Sequence, residues 1–245
     1  MQRTLIVFAR APIPGRTKTR LCPPLDGPTA AALYQRFLGD VLDTTRQVAD
    51  TRRVVAYTPE SSGAFFAQLA PDFEAWPQSG GGLGERMNNA FCYSFEVQHH
   101  QNTKANDQML PEATPSCLIL GPSSIIIGSD SPDLPAERLE EAFRRLEHGA
   151  DVVLGPADDG GYYLIGLRAR QPRLLCEAPM STPSLLADTL ALARELGQRA
   201  ELLPPWYDVD TAADLRRLAA ALRDAPPNVA PRTRAFLQTL EREAR

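Results

Sequence analysis

The sequence predicts an α/β fold, with helices layered on a mostly parallel sheet. Three observations carry this expectation. Short apolar runs of strand length alternate with longer stretches of helical apolar spacing along most of the chain. The purest runs, Thr4–Phe8 and Ile125–Ile127, read as buried strands, and each leads into a loop rich in Gly and Pro. The 245 residues, 43% hydrophobic and 23% charged, suffice for one domain with a substantial core.

In chain order, Arg3 to Ala9 is the first strand, and Ala11 to Pro28 is a loop. Thr29 to Ala49 has helical spacing, with Leu33, Phe37, Val41 and Val48 as its apolar stripe. Arg53 to Tyr57 is a second strand, Ser61 to Leu69 a short helix, Phe73 to Trp76 a short third strand. Leu83 to Phe95 is a helix entered from a glycine run. Gln98 to Pro115 is polar and lacks periodicity, so it reads as a surface loop inserted before the central strand. Cys117 to Leu120 extends that strand or forms another, and Ser124 to Gly128 is the firmer strand. Arg138 to Glu147 is a helix. Asp151 to Leu154 and Tyr162 to Leu167 are strands, and the Asp-Gly-Gly at 159–161 between them signals a hairpin. Pro183 to Leu196 is a helix, Glu201 to Leu203 a last strand, and Asp214 to Leu222 a helix. The expected division is a domain over 1–224, with its insertion at about 98–115. A proline-rich linker and a terminal amphipathic helix follow over 225–245.

Composition narrows function. A net charge of −4 argues against a nucleic-acid surface. No apolar run approaches the roughly 20 residues of a membrane span, and Thr4–Ala9 is too brief for a signal peptide. The expected location is the cytoplasm. Four cysteines (Cys22, Cys92, Cys117, Cys176) lack metal or redox spacing and read as free thiols. Three histidines leave little material for a zinc site or a Ser-His-Asp triad, so any metal chemistry rests on carboxylates.

Four segments carry candidate chemistry. Asp130 and Asp133 directly follow the Ile125–Ile127 strand, where open α/β sheets bind ligands. Two close carboxylates repel unless a cation or proton intervenes, and hard divalent ions take such oxygens together with substrate phosphates. The competing reading is a helix cap, Ser131 or Asp133 capping a helix that begins near Pro135. Arg10, Arg16, Lys18 and Arg20 crowd the loop after the first strand of an acidic chain. The P-loop spacing is absent, yet the position suits phosphate and both cation types bind it. The run Ser79–Gly82 before a helix lets a ligand approach backbone, or is an ordinary loop. Around Asp158–Gly161 the glycines mark a turn, or a surface on which a substrate lies beside an aspartate. In Trp206–Leu215, Thr211 and Asp214 form a capping-box pattern. Capping leaves Asp208 and Asp210 unexplained, and one of them is placed to join a cation near Asp130.

Phe8–Leu21, Leu83–Met87, Gly128–Pro135, Gly155–Leu167 and Trp206–Thr211, taken in order, resemble a known group over roughly residues 3–220. The chain is similar to the bacterial GT-A-like "transferase 1" proteins, associated with radical-SAM and selenodomain proteins. These are related to phospholactate guanylyltransferases and molybdenum-cofactor nucleotidyltransferases. The resemblance implies a three-layer nucleotide-diphospho-sugar transferase (GT-A, Rossmann-like) fold with a mixed, mostly parallel central sheet. It implies a nucleotide-sugar or nucleoside triphosphate, a small-molecule acceptor, and Mg²⁺ or Mn²⁺. Carried over by position, Asp130 is the main metal ligand, with Asp210 opposite and Asp208 beside. Asp133 supports the metal or meets the acceptor. Lys18 and Arg20 hold phosphates, with Ala9, Arg10, Gly15 and Arg16 around them. Gly82, Gly84 and Arg86 lie near the nucleotide. Asp159, Gly160, Gly161, Ser181 and Thr182 border the acceptor, and Asp130, Asp133, Lys18 and Asp159 are the catalytic set. Two departures stand out: Met180 occupies a place where relatives often carry Trp, and the 98–115 insertion is long. The implied activity is glycosyl transfer from a nucleotide-sugar. The alternatives are nucleotidyl transfer with pyrophosphate release, or a non-catalytic nucleotide-binding protein.

Overall fold

The structure is a computed structural model that describes residues 2–106 and 122–243. Among the described residues, seven strands form one sheet: β1 (Arg3–Arg10), β2 (Thr51–Thr58), β3 (Glu74–Pro77), β4 (Ser123–Ile127), β5 (Val152–Pro156), β6 (Tyr162–Leu167) and β7 (Ala200–Leu202). Their order is β3-β2-β1-β4-β6-β5-β7. Every neighbouring pair is parallel except the two that involve β6, which returns antiparallel between β4 and β5. The expected mixed, mostly parallel sheet is present.

The α-helices among the described residues are α1 (Gly27–Arg46), α2 (Gly63–Leu69), α3 (Leu83–Asn106), α4 (Ala136–Glu147), α5 (Pro172–Cys176), α6 (Leu185–Glu195), α7 (Ala212–Asp224) and α8 (Pro231–Glu243), and short 3-10 turns stand at Thr19–Leu21 and Glu60–Ser62. The central strands alternate between two cores. Leu5, Val7, Ile125, Ile127 and Val153 face Phe37, Phe143, Leu218 and Leu237 of α1, α4, α7 and α8. Ile6, Ile126, Val152, Leu154 and Ile165 face Phe91, Leu174 and Ala193 of α3, α5 and α6. A strand buried on both faces needs apolar residues at every position, which is why these runs stood out in the sequence.

Several boundaries differ from expectation. The chain at 98–106, read as loop, continues α3; a polar sequence without apolar periodicity carries little signal of a helix. The rest of the 98–115 segment, and the Cys117–Leu120 strand, lie outside the described residues. The short helix α5 was not foreseen; five residues carry too little periodicity to register. α1 begins two residues early because Asp26 caps it, its side chain accepting from Thr29 N at 2.7 Å, with Pro28 in the first turn. α8 packs on α1, where buried Asp40 accepts from the backbone N–H groups of Arg232 and Thr233 at 3.1 and 2.8 Å. Burial pushes the Asp40 carboxyl above the usual carboxylate range. Cys22, Cys92 and Cys176 are unbridged, and Cys117 lies outside the described residues. Among the described residues no helix is long and apolar enough to cross a membrane.

Candidate functional site

From β1 the chain moves outward to β2 and β3 on one side, and β4 is paired to its other side. The carboxyl ends of β1 and β4 therefore flank a topological switch point, where helices on opposite faces leave a crevice. In register, Val7 pairs with Ile127, so Phe8–Arg10 and Gly128–Asp130 emerge side by side. A cleft of about 460 Å³ opens there. Arg10, Arg16, Lys18, Arg20 and Arg86 line it against two acids, Asp130 and Asp210. An acidic protein thus concentrates positive charge in one place.

The basic loop is shaped by its own hydroxyls. Thr17 Oγ1 donates to Ala11 O at 2.8 Å and accepts from Ile13 N at 3.2 Å. Gly15 takes φ +72°, which makes it a turn residue, and it does not line the cleft. Lys18 also adopts a left-handed backbone (φ 52°), a conformation uncommon for a side-chain-bearing residue. Its side chain is only 5% exposed. The ammonium donates to Asp210 Oδ1 at 2.8 Å and Val209 O at 2.8 Å, and it forms an ion pair with Asp130 Oδ1 at 2.7 Å. The two carboxylates raise the Lys18 pKa above its ordinary value despite its burial. Arg20, 70% exposed, approaches Asp210 Oδ2 at 3.5 Å. The backbone of the 208–210 segment is fixed to β4's exit by Val209 N donating to Asp130 O at 2.9 Å.

Asp130 and Asp210 are thus brought together, and Asp208 and Asp133 are not in the cleft with them. Asp208 takes a hydrogen bond from Ser131 Oγ at 2.6 Å, and burial together with Asp130 pushes its carboxyl up to about 7. Asp133 is buried and accepts from Tyr207 Oη at 2.6 Å, and burial raises its pKa as well. The expectation that Ser131 or Asp133 caps α4 is corrected. Pro135 holds the cap position and no side chain bonds there, because both side chains are engaged by the 207–208 segment. The capping box does form, Thr211 N donating to Asp214 Oδ2 at 2.7 Å and Asp214 N to Thr211 Oγ1 at 3.3 Å.

Around the glycine run, Arg86 reaches the cleft, with its guanidinium on Gln78 Oε1 at 3.2 Å. Gly82 faces open space outside the cleft lining. Gly84 packs α3 on α5: a Cβ there lies 1.9 Å from Leu175 O. In the hairpin, Asp159 Oδ1 accepts from Gly161 N at 2.9 Å, shaping the turn. Gly160, at φ +89°, lies so close to Pro183 that a Cβ meets its carbonyl at 2.0 Å. Neither glycine nor Asp159 lines the cleft, whereas Ser181 does; Thr182 Oγ1 donates to Pro179 O at 2.8 Å beside it. Ala9 lines the cleft.

Sequence reasoning missed Tyr34, Ser129, Gln78 and Thr58, all in the lining. Tyr34 Oη lies 2.7 Å from Ser129 Oγ and accepts from Arg10 N at 3.0 Å, tying α1 to both strand exits. The available signal was a tyrosine on the apolar stripe of α1, since a buried phenol needs a partner. Gln78 Nε2 donates to Ala9 O and Ala56 O at 3.3 and 2.8 Å, clipping β1 to β2.

A solved structure from Desulfovibrio desulfuricans G20, provisionally named a nucleotide-diphospho-sugar transferase, is 29% identical. It covers 98% of this chain and 96% of its own, with a TM-score of 0.81. A 4-diphosphocytidyl-2C-methyl-D-erythritol synthase shares the fold at 13% identity and TM-score 0.54, over 91% of this chain and 100% of its own. A CMP:2-keto-3-deoxy-manno-octonic acid synthetase complexed with CTP does so at 15% and 0.50, over 91% and 99%. No curated protein matches the chain. The segment 41–182 carries Gln78, Arg86, Asp130 and the hairpin, but neither the basic loop nor Asp210. It matches the family model described as "Uncharacterized protein conserved in bacteria (DUF2064)". Because that match takes in more than half of the 245 residues, the chain belongs to the DUF2064 family.

Proposed function

We propose that the protein is a metal-dependent transferase that uses an activated nucleotide: a glycosyltransferase moving a sugar from a nucleotide-sugar donor to a small acceptor. We place it with the "transferase 1" group on its ordered motifs. The observation that carries the reading is the cleft at the β1–β4 switch point, where five cations face two acids in a protein of net charge −4. Such a cleft concentrates an anionic ligand. The D. desulfuricans relative, alike over nearly all of both chains, supports the nucleotide-sugar version.

Arg10, Arg16, Arg20 and Arg86 present guanidinium forks suited to phosphate oxygens. Asp130 and Asp210 are 38% and 39% exposed and turned to one cleft. Among the described residues no three acids, histidines or cysteines group closely enough to make a cage. Mg²⁺ typically takes one or two carboxylates and leaves its remaining positions to phosphates and water, so this donor set fits it. Asp130 and Asp210 would hold Mg²⁺ or Mn²⁺, which would supply positive charge against the phosphates. Tyr34 and Ser129 hold the floor rigid. The acceptor enters beside Ser181 and Thr182, with the Asp159–Gly161 hairpin behind them. The bond from the sugar's anomeric carbon to the diphosphate oxygen breaks, a bond from that carbon to an acceptor hydroxyl oxygen forms, and the hydroxyl proton passes to water or to the departing diphosphate.

A second reading is nucleotidyl transfer. Its favouring observation is the same set of five cations, more than a diphosphate needs and well matched to a triphosphate. The test is thermal unfolding against nucleotide-sugars and nucleoside triphosphates with Mg²⁺ or Mn²⁺, followed by product analysis. Stabilisation by a nucleotide-sugar, with release of the nucleoside diphosphate and loss of both in D130N, is expected. Pyrophosphate release instead establishes the second reading, and a flat panel leaves only a non-catalytic role.

A further inference from the structure

Lys18 was expected to hold phosphate, yet its ammonium is already held by three protein oxygens. Two hydrogen bonds, to Asp210 and the Val209 carbonyl at 2.8 Å, and an ion pair with Asp130 at 2.7 Å surround it with protein oxygens. The residue is buried, in a backbone conformation that side chains rarely adopt. Composition adds an independent observation. Of the 26 basic residues only two, Lys18 and Lys104, are lysines; all the others are arginines. A compact point charge with three diverging donors suits three converging oxygens, whereas the planar arginine fork does not.

We propose that Lys18 is a resident counter-ion for the Asp130–Asp210 pair. It is a positioning residue that holds the two carboxylates together and yields them when a divalent cation arrives with phosphates. The proposal rests on the reading of those aspartates as metal ligands. In the nucleotide-free protein the ammonium competes with the cation for the same oxygens. Once phosphates are present, the displaced ammonium gains new acceptors. Cation and nucleotide then favour each other's binding, and the coupling is reciprocal.

The test is Mn²⁺ titration of the nucleotide-free full chain, with free Mn²⁺ read by electron paramagnetic resonance. Lys18→Met keeps the length of the side chain and removes the charge. It should bind Mn²⁺ about tenfold more tightly than the unsubstituted protein, within the usual span of coupling between sites. Equal or weaker binding by a folded variant, checked by circular dichroism, overturns the proposal. A measurement on the unsubstituted protein avoids the variant altogether. With two lysines in the chain, acetylation at Lys18 is read directly by peptide mass spectrometry. Lys18 should be protected without metal and react several-fold faster in saturating Mn²⁺; unchanged protection overturns the proposal. A D130N/D210N variant separates the two ideas. If it binds Mn²⁺ as the parent does, the metal assignment fails and the proposal falls with it. If it loses Mn²⁺ while Lys18→Met gains none, only the counter-ion role is lost.

Discussion

The basic loop over 9–20 and the hairpin at 157–161 both follow the carboxyl ends of strands at the same end of the sheet, and they use their unusual residues in opposite ways. In the basic loop the side chains matter. Lys18 reaches the 208–210 segment through ion pairs, while Arg10, Arg16 and Arg20 line an open cleft. In the hairpin the absence of a side chain matters. Gly160 lets backbone meet backbone at Pro183, Leu186 N donates to Gly160 O at 2.9 Å, and no space remains there for a ligand. The same holds for Gly84 against Leu175. A glycine motif near a site is therefore not always a ligand surface. Gly84 and Gly160 are of the kind that admits a neighbouring backbone segment.

Substitutions can break or sharpen this contrast. The largest effect should come from Asp130→Asn, which removes one of the two acids facing the cleft. Turnover should fall by about 100-fold or more, the scale of losing one preorganised electrostatic group, while the unfolding midpoint in urea moves little. Gly84→Ala should behave in the reverse manner. A Cβ 1.9 Å from Leu175 O forces α3 and α5 apart, and a stability loss of about 3 kcal/mol is expected from overpacking, read by urea unfolding. If it unfolds like the parent but loses nucleotide affinity, the packing role assigned to Gly84 is wrong. Tyr34→Phe lies between the two. It leaves Ser129 Oγ and Arg10 N without their shared partner, at a cost of about 1–2 kcal/mol, and should weaken nucleotide binding measured by calorimetry. Arg20→Ala should be the mildest. The side chain is 70% exposed and its contact with Asp210 is long, so stability should change by under about 0.5 kcal/mol. Any drop in nucleotide affinity should shrink as salt is raised, because screening already weakens an exposed charge.

Much of the fold was legible because buried strands and amphipathic helices write their environment into hydropathy. The Ile125–Ile127 run is the clearest case, with neighbouring residues facing different cores. The site was legible where charge collected against the composition of the chain, as at 10–20, or where acids sat just past a strand. It was not legible where the function of a residue depends on a distant partner. Asp130 and Asp133 look alike in sequence, yet one faces the cleft and the other accepts from Tyr207. Asp208 and Asp210 divide in the same way, one bonded by Ser131 and the other by Lys18.

By itself the sequence determined most of the strands and helices, the layering and the location of the charged loop, since each follows from local periodicity and composition. Only the tertiary structure decided which carboxylates share the Lys18 ammonium and which glycines serve packing. Those outcomes depend on contacts between positions some 190 residues apart, and local pattern carries no record of which distant oxygen meets a given proton.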